Sequence, residues 1–314
     1  MKLIRNEMMK IFKKTNTYIM IGLVLVALIV AGSLMKYYSN TQEQEPASQT
    51  NWKENLAATN ADYEKQIKET PSAEHYYKQD IAINNYRIEN DLPPNDDYNV
   101  WAFVNSVLPI INFVAIITII TAAGIVAKEF STGTIKLLLI RPANRVKILL
   151  SKYGAVILFS IIMFVITYGA AVLLGLILFG TGDVGPHLSY RDGSVVESTQ
   201  FGHSLSAYLL SSISLLMLTT MAFMISAAFR NSSLAIGISI FLLMGGSTIT
   251  QLLAAKFEWA KYILFANLDL TAYIDGTPWV DGMTMTFSVI TLVVYFVIFH
   301  LIAFFVFTKR DVAA

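Results

Sequence analysis

Six stretches of the chain, near residues 18–35, 103–127, 154–180, 204–229, 234–255 and 284–308, contain no Asp, Glu, Lys or Arg. A hydrocarbon layer about 30 Å thick is crossed by roughly 20 residues of helix, and each stretch is near that length. In lipid, backbone amides must be satisfied within their own segment or in a closed barrel. The alternating pattern of barrel strands is missing, which leaves helices. Composition agrees: 55% of residues are hydrophobic and 14% charged, with a mean hydropathy of +0.55. The expected fold is all-α, a polytopic integral membrane protein with six transmembrane helices in a single domain, residues 1–314.

Orientation is read from where Lys and Arg fall between spans, not from net charge. Residues 1–17, the connector 128–152, the turn holding Arg230 and the end holding Lys309 and Arg310 together carry fourteen basic residues and three acids. The remaining segments carry nine basic residues and nineteen acids. Both termini and the connector are therefore expected to be cytoplasmic, with the acidic loops outside. The first span starts from basic residues, as a signal peptide does. Its long apolar core, and the lack of a clean small-x-small site in SLMKYYSN, favour a retained anchor.

Residues 1–17 read as a cytoplasmic amphipathic helix. Leu3, Ile4, Met8, Ile11 and Phe12 share helical spacing, with Arg5, Lys10, Lys13 and Lys14 largely on other faces. Residues 36–100 form a large extracellular loop with twelve acids and six basic residues. The spacing of Trp52, Leu56, Tyr63 and Ile67, then of Tyr77, Ile81 and Ile88, predicts two amphipathic helices in an external hairpin, the second opened by Thr70 and Pro71. The loop 181–203 is turn-rich. Its GTGDVGPH run lacks the Lys-Ser/Thr ending of a phosphate loop. Residues 256–283 interleave Trp259, Tyr262, Phe265, Tyr273 and Trp279 with a few charges, the pattern of an interfacial or re-entrant helix pair.

Chemistry is sparse. There are no cysteines, hence no disulfide, thiol nucleophile or Cys-ligated metal. His300 is the one ionisable residue well inside a span, and a lone His there is more often packing than a proton relay. Asn105, Asn112 and Gln251 are candidates to line a pathway, or bond between helices, and Pro109 is placed to kink the second span. No HExxH, GxSxG or paired membrane carboxylates occur. An enzyme is not expected, nor a nucleic-acid partner, and the shortage of intramembrane charge disfavours an ion-coupled carrier.

The connector is the exception. Glu129 stands where the second span ends. Ser131, Thr132 or Thr134 is placed to cap a short helix with Ile135, Leu138 and Leu139 on one face, Arg141-Pro142 ends it, and Asn144 caps the helix that continues into the third span. A rigid amphipathic element between two spans can carry a push into the membrane, or simply touch anionic headgroups.

The order Glu129, Gly133-Thr134, Ile135-Lys136-Leu137-Leu138-Leu139, Arg141-Pro142 and Arg145, closed by Lys152, resembles the cytoplasmic signature of type-2 ATP-binding-cassette (ABC) transporter permeases, in an exporter membrane subunit. The resemblance implies that Glu129 through Arg145 forms the coupling helix for a separate ABC ATPase subunit, which would hold ATP and Mg. This chain would bind no cofactor itself. It further implies a second permease copy or a related permease as partner, and a bacterial plasma membrane as location. Glu129, Gly133 and Thr134 would shape the contact, Leu137 and Leu138 would bury apolar surface, and Lys136, Arg141 and Arg145 would pair with acids or lipid. Gly133 fits a positive φ or a close backbone approach. The rival reading is a non-transporting membrane sensor or assembly protein that uses its external helical hairpin.

Overall fold

The computed structural model describes residues 2–41, 51–70, 74–94, 98–134, 144–182, 185–191, 193–229, 231–274 and 282–309. Ten α-helices are found among them: α1 (Lys2–Phe12), α2 (Thr15–Thr41), α3 (Trp52–Glu69), α4 (Glu74–Glu89), α5 (Val100–Ser106), α6 (Ile110–Ser131), α7 (Arg145–Phe179), α8 (Gln200–Ala228), α9 (Ser232–Ala254) and α10 (Met285–Lys309). Six of these, α2, α6, α7, α8, α9 and α10, are long and apolar enough to cross a membrane. At 1.5 Å per residue, the 35 residues of α7 reach about 50 Å, beyond one hydrocarbon layer. Its first turns therefore belong to the connector end.

Helices α6 and α8 form the centre. More than half of each one's most apolar window is buried, against 17–22% for the other four spans. Small residues permit their close approach: Ala122, Ala123 and Ala127 on α6, and Ala222 and Ala227 on α8, are all buried. Polar side chains then fix the register. Ser226 Oγ accepts from the amides of Val126 and Ala127 at 3.2 and 3.0 Å. Thr219 Oγ1 donates to Thr118 Oγ1 at 3.1 Å, and Ser160 Oγ of α7 lies 3.5 Å from the Thr219 hydroxyl. Such interhelical bonds contribute about 0.6 kcal/mol each in a membrane, so they mainly select one packing.

Pro109 interrupts the second apolar stretch. Helix α5 ends at Ser106 and α6 begins at Ile110, because proline has no amide to donate and its ring crowds the preceding turn. Asn99 caps α5 by accepting from Trp101 and Ala102, and Gly175 lets α5 lie against α7. A Cβ at Gly175 would stand 3.0 Å from Val100 Cγ2 and 3.2 Å from its carbonyl oxygen.

At the end away from the connector, α3 and α4 pack as a hairpin through stacked Tyr63 and Tyr77, 5.2 Å apart, and through Asn60 bonded to Asn84 and Asn85. Pro71 and the turn between the helices lie outside the described residues. The turn-rich loop is a β-hairpin: β1 (His187–Arg191) pairs antiparallel with β2 (Ser194–Ser198) in the register His187 opposite Ser198. Helix α4 contacts both strands, and the Tyr86 hydroxyl donates to Glu197 at 3.3 Å.

The 256–283 segment also differs from expectation. Its described residues hold three 3-10 helices, Glu258–Tyr262, Leu264–Ala266 and Thr271–Tyr273. Asn267 explains the shape, because its Nδ2 bonds the carbonyls of Lys261 and Ile263 while its Oδ1 accepts from Ser288 on α10. These bonds stabilise turns instead of a continuous α-helix.

Candidate functional site

Helix α1 ends at Phe12, and the buried Thr17 hydroxyl donates to the Ile11 carbonyl at 2.6 Å, folding α1 back beside the start of α7. Ile11 is buried, Ile4 reaches Gly154, and the Phe12 ring meets Phe159 edge-on. The apolar face expected for α1 therefore packs on protein. The same packing buries Glu7, which is only 5% exposed.

Glu7 meets Lys152, whose side chain is fully buried. Lys152 Nζ lies 2.6 Å from Glu129 Oε1 and 3.1 Å from Glu7 Oε2, and Lys10 Nζ lies 2.6 Å from Glu7 Oε1 and 3.3 Å from Glu129 Oε1. Two cations and two carboxylates thus alternate around one point. Helix α1 supplies two of them, the last turn of α6 one, and the first turns of α7 one. Burial opposes ionisation of Glu7, but Lys152 and then Lys10 hold its carboxyl below the ordinary value of 4.5. Burial likewise opposes the charge on Lys10, and Glu7 and Glu129 outweigh it to raise that ammonium above 10.5.

A cavity of about 560 Å³ opens beside this cluster, lined by Lys10, Lys13, Lys14, Lys128, Thr132 and Thr134 together with both carboxylates. Burial, then Lys128 and Lys10, push the Lys14 ammonium below its usual value. The rim is crowded with positive charge, although the Oε2 of Glu129 faces inward without a hydrogen bond. The lysines of such a rim suit an acidic partner group.

The connector begins as expected and then leaves the described residues. Gly133 has φ +70° with open space around it, so its positive φ, not close approach, calls for glycine. The hydroxyls of Ser131 and Thr132 turn back to the Lys128 carbonyl, and Thr134 Oγ1 bonds Thr132 Oγ1 at 3.0 Å. These bonds finish α6, and the short helix expected to follow lies outside the described residues. Lys136, Leu137, Leu138, Arg141 and Pro142 lie outside the described residues. Asn144 caps α7 by accepting from Val146, and Arg145 Nη1 donates to the Thr308 carbonyl at the end of α10.

Of the pathway candidates, Asn112 lines a second cavity of about 590 Å³, bounded by α6, α8, α9 and the 3-10 segment. Asn105 lies on α5 with its Oδ1 buried and without a hydrogen bond. Gln251 is exposed on α9 and lines none of this cavity. His300 is used in packing: its Nδ1 lies 2.8 Å from the Phe296 carbonyl, and its ring meets Tyr153 edge-on at 4.5 Å. Among the described residues no group of three His, Cys, Asp or Glu side chains could hold a metal ion. Sequence reasoning missed Glu7 and Lys10 as site residues, since a charge on an amphipathic helix reads as solvated. It also missed Asp269, which lines the second cavity from the 3-10 segment.

A family model described as Protein of unknown function (DUF2705) matches residues 76–313. The chain is 50% identical over 316 residues to Uncharacterized protein YhcI of Bacillus subtilis (strain 168), covering 100% of this chain and 99% of the relative. It is also 34% identical over 198 residues to Uncharacterized membrane protein YdbK of the same organism, covering 62% of this chain and 76% of that one.

Proposed function

Starting from a chain that belongs to the DUF2705 family and carries six helices suited to a membrane, we propose that it is the permease subunit of an ATP-driven ABC exporter. The observation that carries this reading is the buried cluster of Glu7, Lys10, Glu129 and Lys152. It ties α1 to both ends of the connector, so a load applied there is delivered to α6 and α7 together. A connector that only touched headgroups would need no such brace. The lysine-rich cavity beside it offers a socket for an acidic segment of a separate ATPase, which would bind ATP and Mg.

In this reading the connector and both termini face the cytoplasm of a bacterial plasma membrane, and the α3–α4 and β hairpins lie outside. Closure of two ATPase subunits would press on two such connectors, one from this chain and one from a second copy or related permease. The central pair α6 and α8 would rearrange in response.

The test is a mild-detergent pull-down of the tagged chain from its native cells. Lys13 and Lys128 are exposed on the rim, so Lys13→Glu with Lys128→Glu reverses socket charge without entering the buried cluster. The wild type is expected to bring down an ATPase subunit and the double variant to lose it, with unchanged thermal unfolding. Glu129→Lys is a poorer probe because it would set a third cation against Lys152 and Lys10. If no ATPase accompanies the wild type while other membrane complexes survive, the exporter reading fails.

A further inference from the structure

The cavity around Asn112 has the volume of a small-molecule site. Its walls are mostly apolar, among them Ile111, Leu215, Leu218, Met244 and Phe265. Met244 is 72% exposed, so that wall borders the lipid-facing surface and an amphiphile can reach the cavity from the bilayer. Towards the connector the lining ends at Ile116 and Leu218. Within two residues of these, Thr118 and Thr219 are hydrogen-bonded and buried. The cavity therefore has a closed floor.

Its charge is one-sided. Among the described lining residues Asp269 is the one ionisable side chain, and no described Lys, Arg or His there would neutralise a bound anion. The carboxylate is held in place, with Oδ1 accepting from the amide and the hydroxyl of Thr271, while the residue remains partly exposed. The Ser214 hydroxyl bonds the Leu268 carbonyl and fixes the 3-10 segment on α8. An apolar chamber with a single anchored carboxylate at one end matches a lipophilic cation, whose charge is costly in hydrocarbon unless paired.

We propose that this cavity binds a cationic amphiphile, its apolar body between α6, α8 and α9 and its charge at Asp269. On the exporter reading above, on which this step rests, that is the chemical class of the cargo. Lateral entry from the bilayer and the closed Thr118–Thr219 floor fit a substrate taken from the membrane and kept on the side away from the connector.

The probes are tetraphenylphosphonium and tetraphenylborate, which share shape and apolar surface but carry opposite charge. Binding is measured to the full chain in nanodiscs, with empty nanodiscs as the blank. The cation is expected to bind saturably and the anion only to the level of the blank. Asp269→Asn keeps the Oδ1 acceptor for Thr271 and removes the charge, and should weaken the cation about tenfold with unchanged thermal unfolding. Ser247→Leu should reduce its binding by narrowing the chamber. Equal binding of both ions, preference for the anion, or cation binding indifferent to both substitutions would overturn the site. The assay needs no ATPase, so its failure is separable from failure of the pull-down. Saturable cation binding without any ATPase partner would keep the site and overturn its assignment to cargo.

Discussion

Lys152 is the residue on which the connector end is built. A fully buried ammonium held by two carboxylates survives desolvation only while both partners stay in place. Lys152→Met keeps most of the side-chain volume but leaves Glu7 and Glu129 facing each other in a poorly solvated site. Losing one side of a buried ion cluster costs about 3–5 kcal/mol, and denaturant unfolding of the purified chain in detergent should show a loss of that order. Adding Glu7→Gln and Glu129→Gln should recover much of it, because the uncompensated charges then disappear as well. A loss well below 1 kcal/mol for Lys152→Met would mean that water already solvates the cluster. The sequence showed Lys152 as a positive charge beside a span that closes the connector's signature, with no hint of burial. Its partners lie 145 and 23 positions away, and no local pattern links them. Gly133 and Asn144, by contrast, were legible because each acts within a few residues of itself: a positive φ in one case, a cap on Val146 in the other.

At the scale of elements, α1 is the piece whose role changed most. Its helical spacing was readable, yet the apolar side rests on α7 and brings Glu7 inside. Docking of this helix should depend on pH with a definite sign. Glu7 has a lowered folded-state pKa, so its contribution is complete above 4.5 and is lost as pH falls through the folded value. Lys10 is raised, so its contribution is complete below 10.5 and is lost only as pH rises beyond that. Unfolding temperature should therefore be level across neutral pH and fall on acidification past 4.5, with a shallower fall in Glu7→Gln. An equal acid slope in that variant would place the titrating group elsewhere. Other elements were hidden for different reasons. The β-hairpin was signalled by Asp192-Gly193 between β-branched and aromatic residues, a common two-residue turn, but five-residue strands stand out poorly in a chain dominated by long apolar runs. The 3-10 segment was misread because Asn267 redirects the backbone through contacts with α10 that sequence spacing does not display.

Across the whole molecule, α6 joins the two places where chemistry is concentrated. Asn112 lines the cavity and Glu129 enters the charge cluster, about 25 Å apart along one helix at 1.5 Å per residue. A displacement of the connector therefore reaches the cavity through a single rigid element whose other side is bolted to α8 at Ser226 and Thr219. The six spans were legible because hydrocarbon thickness imposes their length. The cavity was not, because it arises from four elements meeting. This mechanism requires the connector and the cavity wall at Asp269 to face opposite sides, with the connector inside. The absence of cysteine makes that requirement directly measurable with single replacements. Ser131 and Ser194 are both exposed, one at the end of α6 and one in the β-hairpin. An impermeant maleimide applied to intact cells should label Ser194→Cys at once and Ser131→Cys only after permeabilisation. The reverse pattern would put the lysine-rich socket out of reach of any cytoplasmic ATPase, and the charge cluster would then be a brace without a motor.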